Sequence, residues 1–315
     1  MVTGSSDESK PPSIIEPKPI IVENTISSIA LVADGQQFVS GDENGKIRCW
    51  RTEDGVEVGA QMDAESAICC LATSQDGKWI VTGTKSSRVT VWNAESREAL
   101  TWFAREKGAN AVDISLDGAK VAIAWDDRAL SVYSLPDCKK LGAARSCNFH
   151  MVKFSPDGLL FACSVERSKP SSLSIYNSQN ADFLRDIQIS TQSVVWTSDS
   201  EQLFALSSDG SIYCVDVSDG KTLSQWLIHS TDSPTCISLS SNGAFIAASA
   251  DASISFWDTF THEQIGFVIH YPGPVDYVAI SSNFNLLIGG SLGITLQDLH
   301  SVLSSLYLDD QVGGS

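Results

Sequence analysis

The sequence predicts an all-β chain made of seven small antiparallel sheets closed into a ring. Three observations carry that expectation. The first is local: residues 236–258 (CISLSSNGAFIAASADASISFWD) read as three short strands separated by two tight polar turns, Ser-Asn-Gly at 241–243 and a second turn that carries Asp251. Short runs with period-two patterning between Gly, Asn and Asp turns make an antiparallel meander. The second is repetition. The first-turn glycine or its equivalent falls at Gly35, Gly77, Gly118, Gly158, Ser200, Gly243 and Phe284, in steps of 42, 41, 40, 42, 43 and 41 residues. The position of Trp257 recurs as Trp50, Trp92, Tyr133, Tyr176, Val215, Trp257 and Gln297, in steps of 42, 41, 43, 39, 42 and 40. The third is physical: one meander cannot bury its own face, so copies in register imply units that cover one another.

A period of about 40–45 residues with four strands per unit marks the blades of WD40 propellers. On these two markers the chain resembles the WD40-repeat family from about Ile26 onward. The resemblance implies a single seven-bladed β-propeller of four-stranded antiparallel blades. Seven units of about 41 residues fill about 290 positions, so the 315 residues leave room for one closed domain at 14–308. Residues 1–13 (MVTGSSDESKPPS) read as a polar, disordered arm and residues 309–315 as a C-terminal tail. Residues 5–8 (SSDE) resemble an acidic-directed kinase site, a string common by chance.

In chain order, residues 14–23 (IIEPKPIIVE) are apolar but broken by Pro17 and Pro19, which suits an outermost strand. The family resemblance assigns residues 20–23 and their surroundings the outer strand of the last blade, which closes the ring. Blade one then runs ISSIALVA, a turn at Asp34-Gly35, QFVSG, a turn at 43–45, KIRCW and VEVGAQM. Blade two repeats this as AICCLAT, KWIVTG, RVTVW and EALTWF; blade three as AVDISL, KVAIAW and LSVYSL. Blade four has MVKFS, LLFACSV and LSIYN, with a second turn at 166–172 (ERSKPSS) longer than its counterparts. Blade five has SVVWTS, LFALS and SIYCVDV, blade six is the stretch that opens the argument, and blade seven has VDYVAI, LLIGG and ITLQDL. Residues 301–308 (SVLSSLYL) compete with 14–23 for the last edge, as a strand or a short capping helix.

Composition excludes several classes. A net charge of −17 repels phosphate backbones and anionic lipid, so neither nucleic acid nor membrane is the expected partner. No run of eighteen apolar residues and no signal-peptide h-region is visible. The eight cysteines have neither disulfide-framework nor zinc spacing and read as reduced, small hydrophobes. The expected location is cytoplasmic or nuclear, and the expected state a monomeric propeller without cofactors.

The chain departs from the family pattern in ways that matter. WD40 blades typically bury a network of Gly-His, Ser or Thr, a turn Asp and the Trp. Here no Gly-His pair exists, and only Trp257-Asp258 is a literal WD. The turn Asp survives as Asp127, Asp209 and Asp251, read as structural turn formers, and is replaced by Asn44, Ser86 and Ser291. Most of the network is therefore expected to be missing; His270, five residues before Val275, reads either as a relic of the family His or as a residue of a strand end. The W-D-x-R string of ubiquitin-ligase receptors in the family has no match.

Catalytic signals are weak. The G-x-S-x-G string at 289–293 needs a strand-to-helix turn, yet it falls in a predicted hairpin. Cys147-x-x-His150 lacks a second ligand pair. A propeller hydrolase or lactonase would hold a metal in the central channel, and the innermost strands offer only Asp113, Lys153 and Asp276. The sequence therefore reads as a non-catalytic protein-interaction scaffold or a subunit of a larger intracellular complex. Rigid scaffolds present recognition residues on loops. On the face formed by the second turns, the candidates are Trp125 with Asp126, an aromatic where Ser, Thr or Gly is usual, which reads either as an exposed anchor or as folding inward to fill the space of the absent His; Arg167 and Lys169 in the long blade-four turn; and Glu43 and Lys85 at matching positions in blades one and two.

Overall fold

The computed structural model describes residues 18–20, 22, 24–32, 35–145, 148–166, 171–228 and 234–308. Seven four-stranded antiparallel sheets form the ring of a seven-bladed propeller. Blade one comprises Ile26–Leu31, Gln37–Asp42, Lys46–Arg51 and Met62–Asp63; blade two, Ile68–Thr73, Trp79–Thr84, Arg88–Asn93 and Ala99–Ala104. Blade three comprises Ala109–Ile114, Lys120–Trp125, Ala129–Ser134 and Lys140–Arg145; blade four, Asn148–Phe154, Leu160–Glu166, Ser172–Asn177 and Phe183–Ile187. Blade five comprises Thr191–Trp196, Gln202–Ser207, Ser211–Asp216 and Thr222–Leu227; blade six, Pro234–Leu239, Phe245–Ala250, Ser253–Asp258 and Gln264–His270.

The seventh sheet is of mixed origin. Tyr277–Ile280, Asn285–Gly290 and Gly293–Asp298 come from the end of the chain, and the fourth strand is Lys18–Ile20. That strand pairs antiparallel with the third, Pro19 opposite Thr295 and Ile20 opposite Ile294. A proline at an outer edge costs no ladder bond on its solvent side. The competing segment turns into a 3-10 turn at Leu299–Ser301 and a short helix at Ser305–Leu308. Its Leu299, Leu303 and Leu308 are buried against blades six and seven, and Asn242 donates through Nδ2 to the Tyr307 carbonyl at 2.9 Å.

Both periodic markers have a structural cause. All seven first-turn positions adopt positive φ, including Ser200 at 64° and Phe284 at 54°. Glycine enters this conformation without a Cβ penalty, which is why it fills five of the seven. Each residue matched to Trp257 is the fifth of its blade's third strand. Period-two alternation then does the packing. In the second strands neighbouring residues face opposite sides: Phe38 joins the core shared with blade seven, and Val39 the core shared with blade two. Seven apolar clusters result, each shared by two adjacent blades and none internal to one. At one joint the backbones approach so closely that only glycine fits. A Cβ on Gly142, in the outer strand of blade three, would stand 2.0 Å from the Asn180 carbonyl oxygen of blade four.

Among the described residues the family network is mostly missing, as expected, and parts of it survive in blades one and two. Trp50 donates from Nε1 to Ser40 Oγ at 2.8 Å, and Trp92 to Thr82 Oγ1 at 2.9 Å. In blade six Trp257 turns to Ser255 of its own strand at 2.8 Å. Asn44 does not take over the blade-one aspartate. Buried Asp42 does, accepting from the Asn44 and Lys46 N–H groups at 2.9 and 2.8 Å and from Asn24 Nδ2 at 3.0 Å. Asn24, which also accepts from Asn44 Nδ2 at 2.8 Å, occupies the bridging place before the first strand. His270 is exposed at the end of an outer strand and takes no such place.

Candidate functional site

The second turns of all the blades, with the connections between blades, open onto one face of the ring. Glu43, Lys85 and Asp126 are exposed there on three consecutive blades. Trp125, proposed from sequence as an exposed anchor, is not one. It ends the strand Lys120–Trp125 with its side chain fully buried in the core between blades two and three. The alternation that carries Val121 and Ile123 into that core carries Trp125 with them. Arg105 lies over its ring at 5.5 Å and donates from one guanidinium nitrogen to both Asp127 carboxylate oxygens at 2.7 and 2.9 Å. Arg167 and Lys169 lie outside the described residues.

The turn aspartates differ from one another. Asp127 is held by Arg105. Asp209 accepts from the Ser211 N–H at 2.9 Å. Against burial, which pushes it up, this N–H and the hydroxyls of Ser207 and Ser211 hold the Asp209 carboxyl below its ordinary range. Asp251 serves through its backbone, with φ at 49° and its carbonyl accepting from the Val275 N–H at 2.8 Å. Aspartate tolerates the left-handed region better than most residues.

Charges on this face are largely paired. Lys46 meets Asp63 at 2.6 Å, Arg88 meets Glu65 at 3.5 Å, and Lys107 meets Asp126 at 3.6 Å. The Lys46 ammonium and the Glu65 N–H hold the Asp63 carboxyl below its ordinary range. Exposed pairs of this kind contribute about 0–1 kcal/mol each. They cancel part of the local field; Glu43 and Lys85 stand exposed outside these pairs, as do Glu106 and Arg128.

The innermost strands enclose a central channel of about 450 Å³, lined by Asp113, His150, Lys153, Cys236, Asp276 and Tyr277 among apolar residues. Asp113 and Asp276 both reach it, as the sequence suggests. Asp113 is spent on Lys153 Nζ at 3.2 Å and on the Phe154 N–H at 2.7 Å. The Asp113 charge in turn pushes the Lys153 ammonium up, and burial pushes the Asp276 carboxyl up. Among the described residues no group of three His, Cys, Asp or Glu side chains comes together as a metal set. Ser291 of the G-x-S-x-G string sits in the hairpin between Asn285–Gly290 and Gly293–Asp298, with a strand following it. Cys147 lies outside the described residues, and His150 belongs to the channel wall.

No helix of the described residues is long and apolar enough to cross a membrane. A ring of this geometry is a β-propeller, a class that presents loops around a rigid core. The WD domain, G-beta repeat family model matches residues 20–51, 59–93 and 220–258, covering repeats in blades one, two and six. With three matched repeats inside a ring of seven blades, the chain is a WD40-repeat propeller. No curated protein matches it. The three matched blades are those in which a tryptophan holds the fifth position of the third strand, at Trp50, Trp92 and Trp257.

Proposed function

We propose that this protein is a non-catalytic interaction scaffold, free-standing or within a larger intracellular assembly, that binds a protein partner through the second-turn face as a monomeric propeller. The exposure of Glu43, Lys85 and Asp126 on three successive blades carries the reading. These side chains stand on turns between fully paired strands, so a partner meets them without a cost of ordering the scaffold. Trp125 drops out of this face and acts from beneath, since its burial fixes the turn that carries Asp126. WD40 propellers commonly bind proteins, and the aspartates and lysine of the channel form no reactive set that would favour chemistry.

Affinity purification with mass spectrometry tests the reading. A variant carrying Glu43→Lys, Lys85→Glu and Asp126→Lys is expected to lose a defined set of partners that the unaltered chain retains. Recovery of the same partners by both proteins would mean that this face is not the one used.

A further inference from the structure

The opposite face, formed by the first and third turns, has a different electrostatic design. The channel opens there into a depression of about 370 Å³, walled by Leu31, Val32, Leu116, Phe154, Pro156 and Ile280. Leu116 stands at its rim, 42 % exposed. Next to it, between blades four and five, runs a cleft of about 530 Å³. Only the turn at 155–158 separates the two: Pro156 lines the depression and Asp157 lines the cleft. Asp157, Asp199, Glu201 and Asp216 line the cleft against a single cation, Arg185, with Leu184 exposed at its edge.

Asp157, Asp199 and Asp216 are fixed by hydrogen bonds, and the carboxylates of the cleft outnumber its one cation. Asp157 accepts through Oδ1 from Ser155 Oγ at 2.5 Å and the Leu159 N–H at 2.9 Å. Asp199 does the same with Thr197 Oγ1 at 2.6 Å and the Glu201 N–H at 2.9 Å. Among the described residues no ion pair engages Asp157, Asp199, Glu201 or Asp216. The Thr197 hydroxyl and the Glu201 N–H hold Asp199 below its ordinary range, and the Ser218 hydroxyl and N–H do so for Asp216. The neighbouring lysines are engaged elsewhere. Lys78 pairs with Asp76 at 2.7 Å and Lys221 with Asp219 at 2.5 Å, while Lys120 donates to the Gly158 carbonyl at 3.0 Å. On the second-turn face, by contrast, the acids Asp63, Glu65, Asp126 and Asp127 each meet a base.

We propose that this face docks a basic segment of a partner protein, one apolar side chain of which fills the channel-mouth depression while its lysines or arginines lie along the cleft between blades four and five. Charge complementarity selects the occupant: four carboxylates and one guanidinium attract a cationic chain and repel an acidic one. The concave apolar mouth supplies the anchor that charge alone lacks. The surface is separate from the second-turn face, so either can fail without the other.

A fluorescein-labelled nonapeptide of alternating lysine and arginine with one central leucine tests this by anisotropy. It is expected to bind, to weaken as salt rises, and to lose affinity when the leucine becomes serine. Asp157→Asn with Asp199→Asn is expected to weaken it about ten-fold, two exposed charge contacts being removed. The turns tolerate asparagine: in blade six Asn242 already accepts from Ser240 Oγ at 2.8 Å and from the Ala244 N–H at 3.1 Å. Leu116→Gln, on an exposed rim residue, should lower affinity for the leucine peptide and leave the serine peptide unchanged. The Glu43→Lys, Lys85→Glu, Asp126→Lys variant should bind the peptide as the unaltered chain does. Absence of binding, binding indifferent to the asparagine pair and to Leu116→Gln, or loss only in the second-turn variant would each overturn the proposal.

Discussion

Trp125 fills the corner of the joint between blades two and three, and among the described residues its indole N–H has no hydrogen-bond partner. A buried donor without an acceptor is costly, so the residue is retained for volume and for the cation stacked on its face. Replacing it by alanine should destabilise the fold by about 3–5 kcal/mol through the cavity left behind. Trp125→Phe, which removes the orphaned donor with less volume, should cost clearly less. Urea unfolding of both variants checks this, and equal losses would contradict the packing account. A large aromatic at the end of a second strand is visible in sequence. Its direction is less so: the alternation of Val121 and Ile123 points it inward, but as the last residue of the strand it also borders the loop face, where Arg105 lies over the ring.

At the scale of the strand, the three residues Lys18–Ile20 hold the last sheet shut. Ile20 is buried among Ile294, Leu296, Trp50 and Phe38, so it belongs to the joint between blades seven and one. Ile20→Ala is expected to lower stability by about 2–4 kcal/mol. The loss should appear as a lower midpoint in a single thermal transition followed by circular dichroism; an unchanged midpoint would show that the strand contributes little. Which segment closes the ring was open in sequence, since residues 14–23 and 301–308 are both short and apolar. The structure separates them by what each can bury: Leu299, Leu303 and Leu308 cover the joint between blades six and seven from a 3-10 turn and a short helix, whereas Lys18–Ile20 pairs as a strand. The seven blades were legible because the turn positions need positive φ and the third strands share one register. The half-kept hydrogen-bond network was less so. Its cross-strand partners, Ser40 and Thr82, are ordinary strand residues, and Asn24 stands where the family pattern has histidine.

Across the whole molecule, carboxylates dominate the acid response. Asp63, Asp199, Asp209 and Asp216 are all held below their ordinary range in the folded state. Their contribution is fully present above the unfolded value of about 3.9 and is lost as pH falls through the lower folded values. Asp276, pushed up by burial, acts with the opposite sign, but alone. Stability should therefore hold above about pH 5 and decline below about pH 4; urea midpoints across that range check it, and a midpoint that rises on acidification would contradict it. The seventh sheet, built from both ends of the described chain, also sets an order of events at the ribosome. Phe38 and Trp50 emerge early with Ile20 and Ile26, yet Leu287, Ile294 and Leu296, which complete their core, follow Phe38 by about 250 residues. Until then the nascent chain carries an uncovered aromatic seam, the segment on which a holding chaperone would act.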